Sequence, residues 1–286
     1  MSEARPVPAE WREWIAHNLA RGCDPHMLVG DMMRSGFDAD TARIAVLGSG
    51  QIGSKTSPTA NTAYVYETPH LAASNVIRLP DRDVRVTLRF ERPTIALING
   101  LLSDEECDDL MRLSAGQLIR STTVDRASGE GKIIEARTSE GTYFLVNSNP
   151  FIAGLDRRIA ALMNRPVENG EGLQILHYHT GGEYTPHFDY FPPTDPGSHV
   201  HLANGGQRMA TLIIYLNDVE DGGATVFPEL KLTIGPKKGA ALYFEYGNSH
   251  GQVDPLTLHG GLPVLRGEKW IATKWMRQHR YAASTS

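Results

Sequence analysis

The sequence predicts a mainly β chain with flanking helices (α+β): a sandwich or jelly-roll core, preceded by a small bundle of three helices. After Gly172 the chain breaks into short apolar runs, MATLIIYLND, ATVFP, LTIG, GAALYFEY, LPVLRG and KWIATKWM, each cut by Gly, Pro or Asp. Short strands at that spacing suit a sandwich or jelly roll. Before Leu47 the apolar residues instead recur every three or four positions, a helical period. Between these regions lies GSGQIGSKTSPTANTAY, whose small and polar residues have little capacity to form a core. The expected organisation is a helical bundle over 1–47, a linker over 48–83, a β-rich domain over 84–280 and a tail over 281–286.

Each element has a local reason. Trp11, Trp14, Ile15 and Leu19 make one helix face, ending at Gly22. Asp24-Pro25 is an N-cap and first-turn pair for a second helix through Met27, Leu28, Met32 and Met33. Ser35-Gly36-Phe37 breaks that helix, and Asp38 opens a third through Ala42, Ile44, Ala45 and Val46. This compact arrangement with its Gly-Phe corner resembles ubiquitin-associated domains, which implies a docking module; a cap on the second domain, or a contact to a second subunit, is the alternative. Val84 to Ile98 reads as β. Ser103 with Glu106 is a capping box for a helix through Cys107, Leu110 and Leu113. Ser121 to Arg137 is polar and glycine-bearing, a loop whose stretch from Arg126 to Glu135 could close over a substrate. Asn149-Pro150 opens a further helix through Ile152, Leu155, Ile159 and Leu162.

Composition narrows the partners. The chain has 286 residues, 28 Lys plus Arg against 33 Asp plus Glu, and a net charge of −5. That balance gives no electrostatic reason to expect nucleic acid. No run approaches the roughly 18 apolar residues of a membrane span, and the N-terminus lacks the basic-then-apolar pattern of a secretory signal. Cys23 and Cys107, the two cysteines, show no disulfide or zinc-knuckle spacing and read as free thiols, which suits a cytoplasmic compartment.

The chemistry concentrates in LQILHYHTGGEYTPHFDYF, two short strands joined by a glycine turn. In a strand, residues two apart share a face, so His187 and Asp189 project side by side while Phe188 faces away. A third donor is available at His259, about seventy residues on, if the fold brings it back. Two histidines and one carboxylate with open positions suit non-haem iron(II) chemistry; His-x-Asp alone also suits a solvated pair or a core histidine. Lys269, ten residues after His259, would bring a cation into the same barrel. A buried lysine without a carboxylate partner is costly, and a dicarboxylate ligand would supply the partner. His177 and His179 flank Tyr178 but face the other way, and are read as outside this site.

The segments HYHTGGEYTPHFDYF, GGQRMATLIIYLNDVEDGGATVFPE, PKKGAALYF and HGGLPVLRGEKWIATKWM closely resemble the catalytic domain of prolyl 4-hydroxylases, members of the Fe(II)- and 2-oxoglutarate-dependent dioxygenases. The resemblance spans roughly Thr94 to Arg277. It implies a double-stranded β-helix, the jelly-roll form of the core. It also implies His187, Asp189 and His259 as iron ligands, Lys269 and Tyr178 on the far carboxylate of 2-oxoglutarate, and Thr211 lining that pocket. Arg137 and Tyr143 resemble substrate-side residues. The implied cofactors are Fe(II), 2-oxoglutarate and O2, with ascorbate as a reductant. The implied reaction is hydroxylation of an unactivated C–H, on a prolyl residue of a peptide or protein or, alternatively, on a free imino acid or specialised metabolite. A zinc hydrolase would share the His/Asp/His set but leaves Lys269 and Tyr178 without a task. A catalytically dead binding module would not need an intact ligand set.

Overall fold

The computed structural model describes residues 7–20, 25–47, 63–121, 123–124, 130–132 and 137–282. Contacts divide the chain into two compact units, Met1–Thr62 and Ala63–Ser286.

The first unit holds the helices Ala9–Ala20, Pro25–Arg34 and Ala39–Leu47. Ile15, Leu28, Val29, Met32, Ala42 and Val46 are buried together, with Trp11, Trp14 and Phe37 packed around them. The Trp11 ring meets both Trp14 and Phe37 edge-on, each with centroids 5.1 Å apart. Gly36, at φ +94°, makes the left-handed turn that ends the second helix. Gly22 and Cys23 lie outside the described residues. Cys107 is a buried free thiol, which burial pushes up to about 11.

The second unit begins at Ala63, earlier than the boundary expected near Val84. The reason is hydrogen bonding that composition does not reveal. Val65 donates to Gln252 Oε1 at 3.0 Å and its carbonyl accepts from Asn248 at 3.0 Å. His70 N–H donates to Glu245 at 2.8 Å, and Val76–Arg78 pairs with Asp83–Phe90 as an edge strand.

The core of this unit is a jelly roll. A nine-stranded sheet runs Val76–Arg78, Asp83–Phe90, Ile95–Asn99, Ala241–Glu245, Arg208–Tyr215, Lys269–Arg277, Leu173–Tyr178, Glu140–Phe144, Ile119–Arg120. A smaller sheet runs Leu232–Ile234, Thr225–Phe227, His259–Gly261, Tyr184–His187. Side-chain alternation divides the apolar residues of the large sheet between two clusters. Ala210, Leu212 and Ile214 face the cluster that includes Leu110, Ile152, Leu155 and Ile159 of the helices Asp104–Ser114 and Pro150–Leu162. Ile213 and Tyr215 face the other way, among Phe227, Ile234, Phe244 and Ile271, where the two sheets meet.

Both helices start as their sequences dictate. Ser103 and Glu106 form the reciprocal capping box, and Asn149 Oδ1 accepts from the Ile152 N–H at 2.9 Å. Glu106 also takes the Arg158 guanidinium, which reaches Asp81 as well, so charge pairing ties the two helices together.

Candidate metal centre

The two strands of LQILHYHTGGEYTPHFDYF enter different sheets. Leu173–Tyr178 lies in the large sheet between Glu140–Phe144 and Lys269–Arg277, and Tyr184–His187 pairs with His259–Gly261 in the small one. His187 and His259 are direct cross-strand partners. That register is how a residue about seventy positions away returns to the motif. The second strand ends at His187, so Asp189 sits in the bend beyond it and not on the strand as expected. Contacts hold it there: Thr211 Oγ1 donates to Asp189 Oδ2 at 2.7 Å, and Arg208 donates to the Asp189 carbonyl at 3.3 Å. Phe188 turns away and stacks on Tyr190.

The three donors converge. Asp189 Oδ1 lies 3.7 Å from His187 Nε2, and Oδ2 lies 3.5 Å from His259 Nε2. Ligand atoms about 2.1 Å from one ion and at right angles to each other stand about 3 Å apart, so a small inward movement suffices to bind one. Both rings are already oriented. His187 Nδ1 lies 2.9 Å from the Thr185 carbonyl, and His259 Nδ1 lies 2.9 Å from the Thr257 carbonyl. A carbonyl accepts only from N–H, which leaves each Nε2 as a lone pair aimed inward.

The protonation states suit the same task. Burial pushes His187 down to about 3, and His259 beside it acts in the same direction. Burial acts to raise the Asp189 carboxyl, but His259, His187, Arg208 and the Thr211 hydroxyl together hold it below its ordinary value. At neutral pH the set is therefore a neutral imidazole at His187 and a carboxylate at Asp189, the forms a metal needs. His259 and Asp189 are buried, whereas the His187 side chain is 21% exposed, so the set opens on the His187 side.

Lys269 is the cross-strand partner of Tyr178. It is buried, and among the described residues no carboxylate pairs with it; its neighbours are the rings of Tyr178 and Tyr215, at 5.7 and 6.0 Å. Desolvation pushes it down to about 8. A Cβ on Gly261 would stand 3.7 Å from its Nζ, and one on Gly223 would stand 3.5 Å from its Cδ, so two glycines border its stem. A buried cation facing rings is a receptor for an anion. The donor chemistry thus fits Fe(II) beside a dicarboxylate.

The comparisons agree with this chemistry. Residues 173–277 match the sequence profile of the 2OG-Fe(II) oxygenase superfamily. Prolyl 4-hydroxylase 5 of Arabidopsis thaliana is 38% identical over 208 residues, covering 66% of this chain and 70% of that protein. The chain belongs to the prolyl 4-hydroxylase family. Probable prolyl 4-hydroxylase 6 of the same plant is 41% identical over 211 residues, covering 67% of this chain and 72% of that protein. Among solved structures, the viral collagen prolyl hydroxylase of Paramecium bursaria Chlorella virus-1, in complex with 2-oxoglutarate, matches at TM-score 0.52 and 32% identity. It covers 64% of this chain and 95% of that one. As a member of this family the chain is a 2-oxoglutarate-dependent dioxygenase that uses Fe(II), 2-oxoglutarate and O2.

Other expected residues of the family site fall into linked positions. Thr211 does not leave its hydroxyl free for a co-substrate: it donates to Asp189 and meets the Tyr246 hydroxyl at 2.9 Å. Arg137 is buried; it donates to Ser139 and Gln174, each at 3.2 Å. Tyr143 is exposed, and its hydroxyl accepts from Gln174. One glutamine therefore couples the two expected substrate residues.

Sequence reasoning missed Tyr184 and Arg208. Tyr184 stacks on His187 with centroids 3.6 Å apart, and the Arg137 guanidinium lies over the Tyr184 ring, 5.0 Å from its centroid. Arg208 grips Glu171 at 2.6 and 2.8 Å while bonding the Asp189 carbonyl. Only the closeness of Tyr184 to His187 was visible in the sequence. The loop from Arg126 to Glu135 lies largely outside the described residues.

Proposed function

We propose that this protein hydroxylates a prolyl residue of a peptide or protein, with His187, Asp189 and His259 as the iron ligands. The observation that carries the proposal is the inward-aimed two-His-one-carboxylate set in a chain 38% identical to a plant prolyl 4-hydroxylase. Bound iron(II), with 2-oxoglutarate and O2, supplies oxidative hydroxylation of an unactivated C–H, releasing succinate and CO2.

The chain's own residues do the rest. His187, Asp189 and His259 would hold the iron, and a set of only three protein ligands would leave it able to take the 2-oxo acid and O2. Lys269 pairs with the far carboxylate, and the buried Tyr178 hydroxyl on the neighbouring strand adds a directional contact. Thr211 fixes the Asp189 rotamer. Tyr184 and Arg137 wall the open side at His187, where a substrate would enter, with Tyr143 at its rim. The apolar rings around Lys269 keep water from the co-substrate. Ascorbate as a reductant belongs to the same reading.

The deciding experiment incubates the iron-loaded enzyme with proline-bearing peptides and with free proline. A +16 Da product on the peptide prolyl residue, coupled to succinate, is the expected result. Hydroxylation of free proline with none of peptides would replace the substrate class while keeping the oxygenase. Because outer partners of metal ligands typically contribute 10- to 100-fold in metal affinity or activity, Thr211→Val should lower iron affinity or turnover by about that much. A Thr211→Ser variant should restore most of it, and equal activity of the Val and Ser variants would remove Thr211 from the site.

The helices of Met1–Thr62 are proposed as a separate docking module, since they bury their own apolar cluster. Every residue assigned to the site lies at or beyond Arg137. A chain starting at Ala63 is therefore expected to stay soluble and couple 2-oxoglutarate turnover, losing activity only on a large substrate. Aggregation of that fragment would favour a structural cap.

A further inference from the structure

His177 and His179 alternate with Tyr178 along the chain and face the other side of the sheet. His177 lies directly opposite Glu140 on one neighbouring strand and opposite Trp270 on the other. Residues directly opposite in a sheet share a face, so Glu140, His177 and Trp270 project together, away from the Lys269 pocket. His179, two residues on, joins them: its ring lies 4.2 Å from that of His177. Ligand atoms of Glu140, His177 and His179 all lie within 4.8 Å of one another.

We infer that Glu140, His177 and His179 form a second divalent-metal site on the outer face of the large sheet, suited to zinc or a similar transition ion. The donor set is two imidazoles and a carboxylate, a combination that favours zinc, nickel or copper over magnesium and calcium, which take oxygen ligands. His179 Nε2 and Glu140 Oε2 stand 3.7 Å apart, beyond hydrogen-bond reach. Two donors on one tetrahedral zinc ion are separated by about 3.3 Å, so the gap is close to what an ion would span.

The site is also partly built in advance. His177 is buried and stacked on Trp270, with centroids 4.0 Å apart and planes 15° from parallel. Glu268 Oε2 lies 2.7 Å from His177 Nε2, close enough to orient the ring or to provide a fourth donor. His179 and Glu140 are more exposed, at 67% and 43%, which gives an ion direct access from solvent. An ion there would clamp the strands Glu140–Phe144 and Leu173–Tyr178, and through Glu268 the start of Lys269–Arg277. Two of these strands carry Tyr178 and Lys269 on the opposite face.

The test uses the full chain, stripped with a chelator and equilibrated by dialysis against low-micromolar zinc. Wild type is expected to retain two equivalents. His179→Ala and Glu140→Gln should each retain one, as should Asp189→Ala, and the His179→Ala/Asp189→Ala pair none. Zinc should raise the melting temperature of Asp189→Ala but not that of the pair, since binding to the folded state stabilises it. His179 and Glu140 are exposed enough for both variants to fold, and two chemically different substitutions guard against one misfolding. A wild-type chain that retains a single equivalent, lost in Asp189→Ala and kept in His179→Ala, overturns the second site and leaves the iron centre standing. A single wild-type equivalent that is lost in His179→Ala and kept in Asp189→Ala does the reverse, supporting the second site while removing the first.

Discussion

Asp189→Ala and His187→Ala are expected to show no measurable succinate formation while melting as cooperatively as the wild type. The loss follows from coordination: in a site built around three protein ligands, removing one lowers iron(II) affinity and frees the orientation that keeps the remaining positions available for co-substrate and O2. Retention of the fold follows from the protonation states. His187, pushed down to about 3 by burial, is neutral at working pH, so removing Asp189 strands no imidazolium beside it. The Thr211 hydroxyl keeps Tyr246 as a partner, so no buried polar group is orphaned there. Succinate formation is measured in iron-replete buffer beside a melting curve. Near-normal turnover in either variant rejects the ligand assignment, and a lost melting transition would mean that Asp189 or His187 serves the fold.

What the sequence made legible was local. Ser103 with Glu106 and Asn149 with Pro150 start helices where they were expected, because capping is decided within four residues. Alternating apolar residues in MATLIIYL and KWIATKWM marked strands that divide their side chains between two faces. Whatever depends on register between distant strands was not legible from spacing. Asp189 leaves the strand because Thr211 and Arg208, both from Arg208–Tyr215, hold it in the bend. Arg137 and Tyr143 are joined through Gln174, a residue without any conspicuous motif. His177 and His179 looked idle in sequence because Glu140 meets them only across a strand pair. The second unit takes in the last residues of the expected linker because Asn248, Gln252 and Glu245, far along the chain, hold them.

Lys269→Ala is expected to raise the KM for 2-oxoglutarate far more than it changes iron binding. A hydrogen bond to a charged group contributes about 1.5–3 kcal/mol, which corresponds to a weakening of about 10- to 150-fold. In the free enzyme the lysine is cationic below about 8 and neutral above it, because burial opposes its charge. Only the charged form attracts a carboxylate, so the wild-type KM should rise as pH passes above about 8, by up to about tenfold per unit. Below that pH it should stay flat, as long as the dicarboxylate itself remains ionised. Binding of the anion favours the ammonium, so above that pH the complex takes up a proton that the free enzyme lacks. Lys269→Arg separates charge from fit: the guanidinium stays cationic throughout this range, so its KM should lose the upward turn even where the longer side chain binds less well. The measurement is the 2-oxoglutarate KM of the wild type, Ala and Arg variants across this pH range. An Ala variant with unchanged KM, or a wild-type profile that stays flat well above pH 8 and matches Arg, would mean that the far carboxylate is held by something other than Lys269.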